Sequence, residues 1–376
     1  MSANKTISVL QFFGEPLSYG GQEAFILNMY KNFKNKKIKY TFATPFHANN
    51  KELKGLIKKN SDNLIAQNYK FESKQRKSFI IKTIKKLAKE RTYDVVHIHS
   101  GSIFVLYKAA KAFKRSGCKT VIVHSHATGY DNLKHKIAKT IYNLNFYKQA
   151  DYFFACSKKA GEYKYSNQIL KSEKFKVIKN GIDLEKFKFN PETRKAKRKE
   201  LGLKDETVLC NVGRFSEEKN QLFLLEIFKE YLKLNPNSFL LLIGGAGPIE
   251  MQIKEKIKKC NLSNKVMLLK ERKDVAELLC ASDIFVFPSK FEGLGMAAIE
   301  AQTSGLLTVC ASVIPQETII STDCLTMNLN DIALEWAKNI DKSYIASIKN
   351  NRAEMSSAIK AFDIRNCAKQ LEQFYV

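Results

Sequence analysis

This 376-residue chain has no apolar run approaching the roughly 18 residues needed to span a bilayer, so no membrane-crossing helix is expected. It has no low-complexity tract either. With 44% hydrophobic and 27% charged residues it reads as a folded globular protein, long enough for two ordinary domains. Its eight cysteines include no C-x-x-C pair, and several sit inside strand-like runs such as Val208-Leu209-Cys210. Scattered cysteine of this kind is a small hydrophobe in a reducing compartment, so neither a disulfide framework nor a zinc site is indicated. The N-terminus passes from Met1-Ser2-Ala3-Asn4-Lys5-Thr6 directly into a strand-like run, without the design of a signal peptide. The expected location is the cytoplasm.

Acidic residues are scarce in one half only. Residues 1–180 carry 35 Lys and Arg against 11 Asp and Glu, whereas residues 181–376 carry 28 against 26. The net charge of +26 therefore resides almost wholly in the first half, which points to a polyanionic partner for that half. Arginine is sparse, and no nucleic-acid motif or aromatic interleaving accompanies the lysines. The expected partner is an anionic membrane surface, with peripheral association at its inner face and no nucleic acid. A lysine-rich proteome would also give a basic protein, but does not explain why one half escapes the bias. Within the basic half, residues 79–89 put Ile80, Ile84 and Leu87 on one helical face and Lys82, Lys85, Lys86 and Lys89 on the other. The apolar face suits a sheet and the lysine face anionic lipid.

Strand-like and helix-like segments alternate from end to end, the pattern of parallel α/β sheets. Strands are expected at Ile7–Phe13, Tyr40–Pro45, Asp94–His99, Thr120–His124 and Asp151–Cys156, then at Thr207–Val212, Ser238–Ile243, Lys265–Leu269, Ile284–Phe287 and Leu306–Cys310. The predicted architecture is two doubly wound domains, residues 1–183 and 184–360, with a boundary between the Asn180-Gly181 turn and the charge-dense stretch Arg194–Lys199. A final helix in 361–376, with Ile364, Cys367, Leu371 and Phe374 at near-helical spacing, is expected to return to the first domain.

The run Phe291-Glu292-Gly293-Leu294-Gly295-Met296-Ala297-Ala298-Ile299-Glu300 sets two carboxylates eight positions apart around a glycine-rich turn. Its spacing puts Glu292 on the loop after a buried strand and Glu300 about two turns into the next helix, where both can reach one ligand. Such a helix start offers free N–H groups and a positive dipole end, so a phosphate-bearing guest fits. On spacing alone, two solvated glutamates would look the same. Gly213-Arg214-Phe215-Ser216-Glu217-Glu218-Lys219 follows the first strand of the second domain, where Gly213 lets backbone approach a ligand and Arg214 and Lys219 suit a diphosphate. After the next strand, Gly244-Gly245-Ala246-Gly247-Pro248 is too loose for a dinucleotide fingerprint and reads as room for a base or ribose, or as an ordinary tight connection. In the first domain, Gly20-Gly21 precedes a helix, and His97-Ile98-His99 and His124-Ser125-His126 end two strands. Histidines at alternate positions suggest a metal, but no third ligand is evident, and no D-x-D pair occurs anywhere in the chain. The residues favour metal-free charge stabilisation by Arg214, Lys219 and helix N-termini, with no cofactor.

Together these segments resemble the retaining glycosyltransferases of family 4, the large GT-B group, and most of all members that build bacterial exopolysaccharide or capsule. The resemblance runs in family order through Gly20-Gly21, Asp94–His99, His124-Ser125-His126, Ala155-Cys156-Ser157, Asn180-Gly181-Ile182-Asp183, Gly213–Asn220, the 244–248 glycines and Glu292–Glu300 continued by Ala301-Gln302. It implies two Rossmann-like domains facing each other across a cleft that holds a nucleotide-sugar donor, a UDP-sugar by resemblance to the polysaccharide-building members, and a lipid-linked or glycan acceptor. It puts Glu300 on the ribose hydroxyls and Arg214 and Lys219 on the diphosphate. Glu292 and the backbone of Gly293, Leu294 and Gly295 fall to the donor sugar, with Gly213, Gly244 and Gly247 also on the donor side. Gly21 would approach the β-phosphate, Gly20 lies on the acceptor side, and His124 or its rival His126 lies near the transferred sugar. Implied is a same-face displacement in which the β-phosphate oxygen takes the acceptor's proton; a Glu292 nucleophile is the other route. A non-catalytic sugar-nucleotide-binding partner of another transferase is the alternative function. Two departures stand out: Gly295 where many members have proline, and Leu306-Leu307-Thr308 in place of a G-x-P continuation after Gly305.

Overall fold

The computed structural model describes residues 6–376 except 19, 127–128, 130–132, 246, 271, 348–351 and 353. Ala246 of the glycine turn and Met1 to Lys5 thus lie outside the described residues. The chain divides into two compact units, Met1–Gly181 with Ile364–Val376, and Ile182–Asp363.

The first unit holds β1 (Ile7–Phe13), β2 (Ile38–Thr44), β3 (Asn63–Ala66), β4 (Val95–His99), β5 (Thr120–Ser125), β6 (Tyr152–Ala155) and β7 (Phe175–Val177). They form one parallel sheet in the order β3-β2-β1-β4-β5-β6-β7. The second holds β8 (Thr207–Val212), β9 (Ser238–Ile243), β10 (Val266–Leu269), β11 (Ile284–Phe287), β12 (Leu307–Ala311) and β13 (Cys324–Met327), in the order β10-β9-β8-β11-β12-β13. Central strands such as β11 are buried along their whole length, which is why they read as unbroken apolar runs. The order reverses between β1 and β4 and again between β8 and β11. Loops leaving those four strands at their carboxyl ends diverge and leave a crevice, the usual ligand position in open α/β sheets.

Three strands were not expected from the sequence: β3, β7 and β13. All lie at sheet edges, are three or four residues long and are only partly buried. An edge strand pairs on one side only and so tolerates polar residues, which erases the pattern. The charge-dense stretch Arg194–Lys199 is part of the helix Pro191–Glu200 and belongs to the second unit rather than to a linker. Asn190 Oδ1 caps this helix by accepting from Thr193 N at 2.9 Å. Arg194 and Arg198 pair with Asp283 at 2.6 and 3.3 Å, and Lys197 pairs with Asp274 at 2.8 Å. The cations are a fastening to the sheet.

The helix Ile364–Glu372 packs against the helix Gly21–Asn32 of the first unit. Ile364, Cys367, Ala368, Leu371 and Tyr375 are buried in the same core as Phe25, Ile26 and Met29. Glu372 completes the attachment, accepting from Lys34 N at 3.0 Å and Asn35 N at 3.2 Å.

Candidate active site

Because β8 and β11 are neighbours, the loops after them meet, although their residues lie some seventy positions apart in the chain. Lys219, at the end of a short 3₁₀ turn, donates to Glu292 Oε1 at 2.6 Å. The pair is sheltered, with the lysine side chain 21% and the glutamate 10% exposed. The lysine stem lies along Gly213, whose hydrogen faces its Cδ and Cε, and its ammonium stands 5.3 Å from the Phe287 ring centroid. Arg214 differs. Its side chain is 65% exposed and, among the described residues, pairs with Glu218 at 3.1 Å, an ion pair that holds the guanidinium loosely. One cation is thus fixed beside a carboxylate, and the other can swing.

The helix after β11 begins at Met296, capped by Gly295 at φ +82° without a side-chain hydrogen bond. Its first turn is therefore open to an anion at the carboxyl end of the strand. The helix runs Met296–Thr303, so Glu300 is its fifth residue, in the second turn and not two full turns in. Burial pushes the Glu300 carboxyl up to about 7, and only the more distant Lys186 opposes this. A side chain that the sequence left without a role, Gln302, ties the loop 316–321 to the helix. It accepts from Ile320 N at 2.9 Å and Ser321 N at 3.0 Å, and donates to Thr318 O at 2.8 Å.

Gly244 and Gly247 have a structural reason to be glycine. A Cβ on either would fall 2.0 Å from a carbonyl oxygen, that of Gly213 or of Phe215 respectively. At these two positions the neighbouring loop occupies the Cβ space, as in a tight connection, whereas the Cβ position of Gly245 is open.

In the first unit, Gly20 caps the helix Gly21–Asn32, and the Cβ position of Gly21 is open. Two further residues that the sequence motifs do not include, Glu15 and Lys164, lie near each other in this unit. Glu15 Oε1 accepts from Ser100 Oγ at 2.8 Å and Gly101 N at 3.3 Å, while its Oε2 is buried without a partner among the described residues. Burial raises its carboxyl and lowers the Lys164 ammonium to about 8, the two charges favouring each other. Glu15 was detectable, as a charge two residues after a strand end; Lys164 carries no comparable signal.

The expectation that no third histidine would join a pair is overturned. Parallel pairing of β4 with β5 puts His97, His99 and His124 on one sheet face, fully buried, and His126 lies just beyond, half-buried. Ring nitrogens of the first three fall within 4.8 Å of one another, a spacing a metal could use. The rings, however, form two hydrogen-bonded pairs, His97 with His124 at 3.1 Å and His99 with His126 at 2.9 Å. The two pairs lie close over each other, with His124 and His126 stacked and His97 and His99 tilted by 37°, the centroids 4.0 Å apart in each case. The facing nitrogens of His97 and His124 are engaged with each other, so a metal held by these rings would have to displace that hydrogen bond. Burial keeps all four neutral, with His126 lowered to about 3.

The comparisons with known proteins agree with the two-unit layout. Residues 19–186 match the model described as Glycosyltransferase Family 4, and residues 193–324 the model described as Glycosyl transferases group 1. The chain is 31% identical over 268 residues to the UDP-Gal:alpha-D-GlcNAc-diphosphoundecaprenol alpha-1,3-galactosyltransferase of Escherichia coli, spanning 69% of this chain and 68% of that one. It is 25% identical over 338 residues, 88% of this chain and 86% of the other, to a protein of Bacillus subtilis strain 168 named as glycosyltransferase EpsF. Among solved structures, Anabaena HepE in complex with UDP matches 98% of this chain and 99% of its own, with a TM-score of 0.78 at 18% identity, a likeness of fold. With both halves matched in order and a relative of this identity, the chain belongs to the family 4 glycosyltransferases and is an enzyme of the GT-B fold.

Proposed function

We propose that this glycosyltransferase moves a sugar from a UDP-sugar to a lipid-linked or glycan acceptor in surface-polysaccharide synthesis, with retention and without a metal. The observation that carries the reading is the sheltered Lys219–Glu292 pair at the carboxyl ends of β8 and β11, with the mobile Arg214 and an open helix start beside it. A diphosphate arriving there is neutralised by both cations and by the helix amides. Lys219 then bridges phosphate and Glu292, which holds the carboxylate against a sugar hydroxyl. Glu300 receives the ribose hydroxyls. By the family resemblance, Gly21 is assigned to the β-phosphate and His124 and His126 to the transferred sugar.

As the glycosidic bond to the β-phosphate breaks, the leaving UDP keeps the bonding electrons and the cations stabilise its added charge. Its β-phosphate oxygen takes the proton of the acceptor hydroxyl, which attacks from the same face. A carboxylate already paired to lysine at 2.6 Å is a poor nucleophile, which favours this route over a covalent Glu292 intermediate. The lipid part of the reading draws on the E. coli relative, whose name gives a diphosphoundecaprenol acceptor and a UDP-sugar donor.

Peripheral membrane contact has its own support. Helices Arg76–Glu90, Ile103–Arg115 and Leu133–Asn143 pack side by side. Exposed Lys82, Lys85, Lys86, Lys89, Lys108, Arg115 and Lys136 on this layer accompany exposed Leu133, Ile137, Ile141 and Leu144. No helix among the described residues is long and apolar enough to cross a membrane.

The test is UDP release by purified protein given UDP-sugars and a lipid-linked acceptor, with GDP- and ADP-sugars as comparison. Glu292→Gln and Arg214→Ala are each expected to lower kcat by about a hundredfold, the scale for losing one preorganised electrostatic group. Turnover unaffected by both would remove the site assignment, and preference for another nucleotide would remove UDP.

A further inference from the structure

We propose that Gln11 and Tyr375 are positioning residues that set the ring protons of the four clustered histidines, so that His124 and His126 offer a substrate one hydrogen-bond donor and one acceptor. The proposal deepens the reading above, in that it takes these two histidines to meet hydroxyls of the transferred sugar.

The argument is an accounting of protons. A neutral imidazole has one N–H and one lone pair, so each ring passes on whatever role it receives. Gln11, buried on β1, links both histidine pairs, one directly and one through Tyr375: its Nε2 donates to Tyr375 Oη at 3.0 Å, and its Oε1 lies 2.8 Å from His99 Nε2. Having accepted from Gln11, the Tyr375 hydroxyl donates to His97 Nδ1 at 2.7 Å. His97 Nε2 must then carry its proton and donate to His124 Nδ1, which leaves the proton of His124 on Nε2. Along the other branch His99 Nε2–H donates to Gln11 Oε1, so His99 Nδ1 accepts from His126 Nε2–H, and His126 Nδ1 keeps a lone pair.

His124 Nε2 and His126 Nδ1 are the ends of these branches. Both are buried and lack a partner among the described residues. An end of this kind, left unpaired at the cost of a buried polar group, points to a ligand that satisfies it. Reversing the Gln11 amide reverses every bond in both branches, so the two ends exchange roles and stay opposite. One amide, with its single donor side and single acceptor side, enforces that opposition. Two neighbouring hydroxyls, each able to donate and accept, satisfy such a pair; a carbonyl or a cation does not.

Tyr375 reaches this network from the last residues of the chain, held by ring contacts with Phe33 and Tyr40. Tyr375→Phe keeps those contacts and removes only the hydroxyl.

The experiment is ¹⁵N NMR of the full-length protein with labelled histidine, without donor. The four rings are expected to share one tautomer, since both branches run through Nε2–H rings, or through Nδ1–H rings if the amide is reversed. In Tyr375→Phe, His97 and His124 are expected to become tautomer mixtures while His99 and His126 keep their signals. Gln11→Met is expected to free all four, since it removes the acceptor of His99 and also the donor that fixes which way the Tyr375 hydroxyl bonds His97. Transfer by Tyr375→Phe should fall about tenfold in kcat/KM, the scale of one buried hydrogen bond. Signals that do not move in either variant, or four that move together in both, would overturn the proposal. Tautomers that move as expected with transfer unchanged would uphold the proton network and overturn the placement of these histidines on the sugar.

Discussion

At the scale of single residues, Glu300 and Glu292 separate by surroundings. Glu292 stands against an ammonium, whereas Glu300 has burial pushing its carboxyl up to about 7 with little to offset it. Its folded value lies above the ordinary 4.5, so the folded state holds a proton that the unfolded state has released across that interval. Stability of the unliganded protein should therefore fall as pH rises from about 4.5 to about 7 and then level off. Glu300→Gln should remove this component, and urea unfolding of both proteins at pH 5 and pH 8 checks it. If the carboxylate form receives the ribose, UDP affinity should rise over the same interval in the native protein and stay flat in the variant, as read by calorimetry. Glu292, Glu300, Arg214 and Lys219 could all be picked out of the sequence as candidates. That Lys219 bonds Glu292 could not, since a contact across 73 positions follows from which strands are neighbours.

At the scale of elements, the central strands were legible and only one of the four edges was. β1, β8, β9 and β11 match the expected runs residue for residue, because burial on both faces keeps them mostly apolar, and buried polar side chains such as Gln11 and Asn211 are hydrogen-bonded. Of the edge strands β10 was legible, whereas β3, β7 and β13 were not. The helix start at Met296 depends on Gly295, whose φ of +82° suits only a residue without a Cβ. A Cβ there would also stand 3.3 Å from Thr318 Cγ2 and from Phe287 Cε1. Gly295→Ala should therefore cost about 1–2 kcal/mol by urea unfolding, the strain of a left-handed residue, and weaken donor binding by moving the helix amides. An unchanged midpoint would show that the turn relaxes freely. A proline could not take this φ.

At the scale of the whole molecule, charge is divided between the halves, and one helical layer of the first unit carries a group of exposed cations beside the exposed Leu133, Ile137, Ile141 and Leu144. Vesicles containing anionic lipid should carry the protein upward in flotation at low salt and release it as salt is raised. Ile137→Ser with Ile141→Ser should lower the bound fraction roughly tenfold at fixed lipid, since each buried aliphatic side chain contributes about 1.5–3 kcal/mol. Binding that ignores both salt and these substitutions would end the membrane reading.

By itself the sequence determined the two α/β halves, the charge division between them, most central strands and the motifs that carry the family resemblance, because these rest on local periodicity and composition. Only the tertiary structure decided which motifs meet. Parallel strand pairing, set by crossover connections rather than by adjacent residues, laid Lys219 against Glu292 and gathered the histidines on and just after β4 and β5, while packing of the final helix brought Tyr375 onto Gln11.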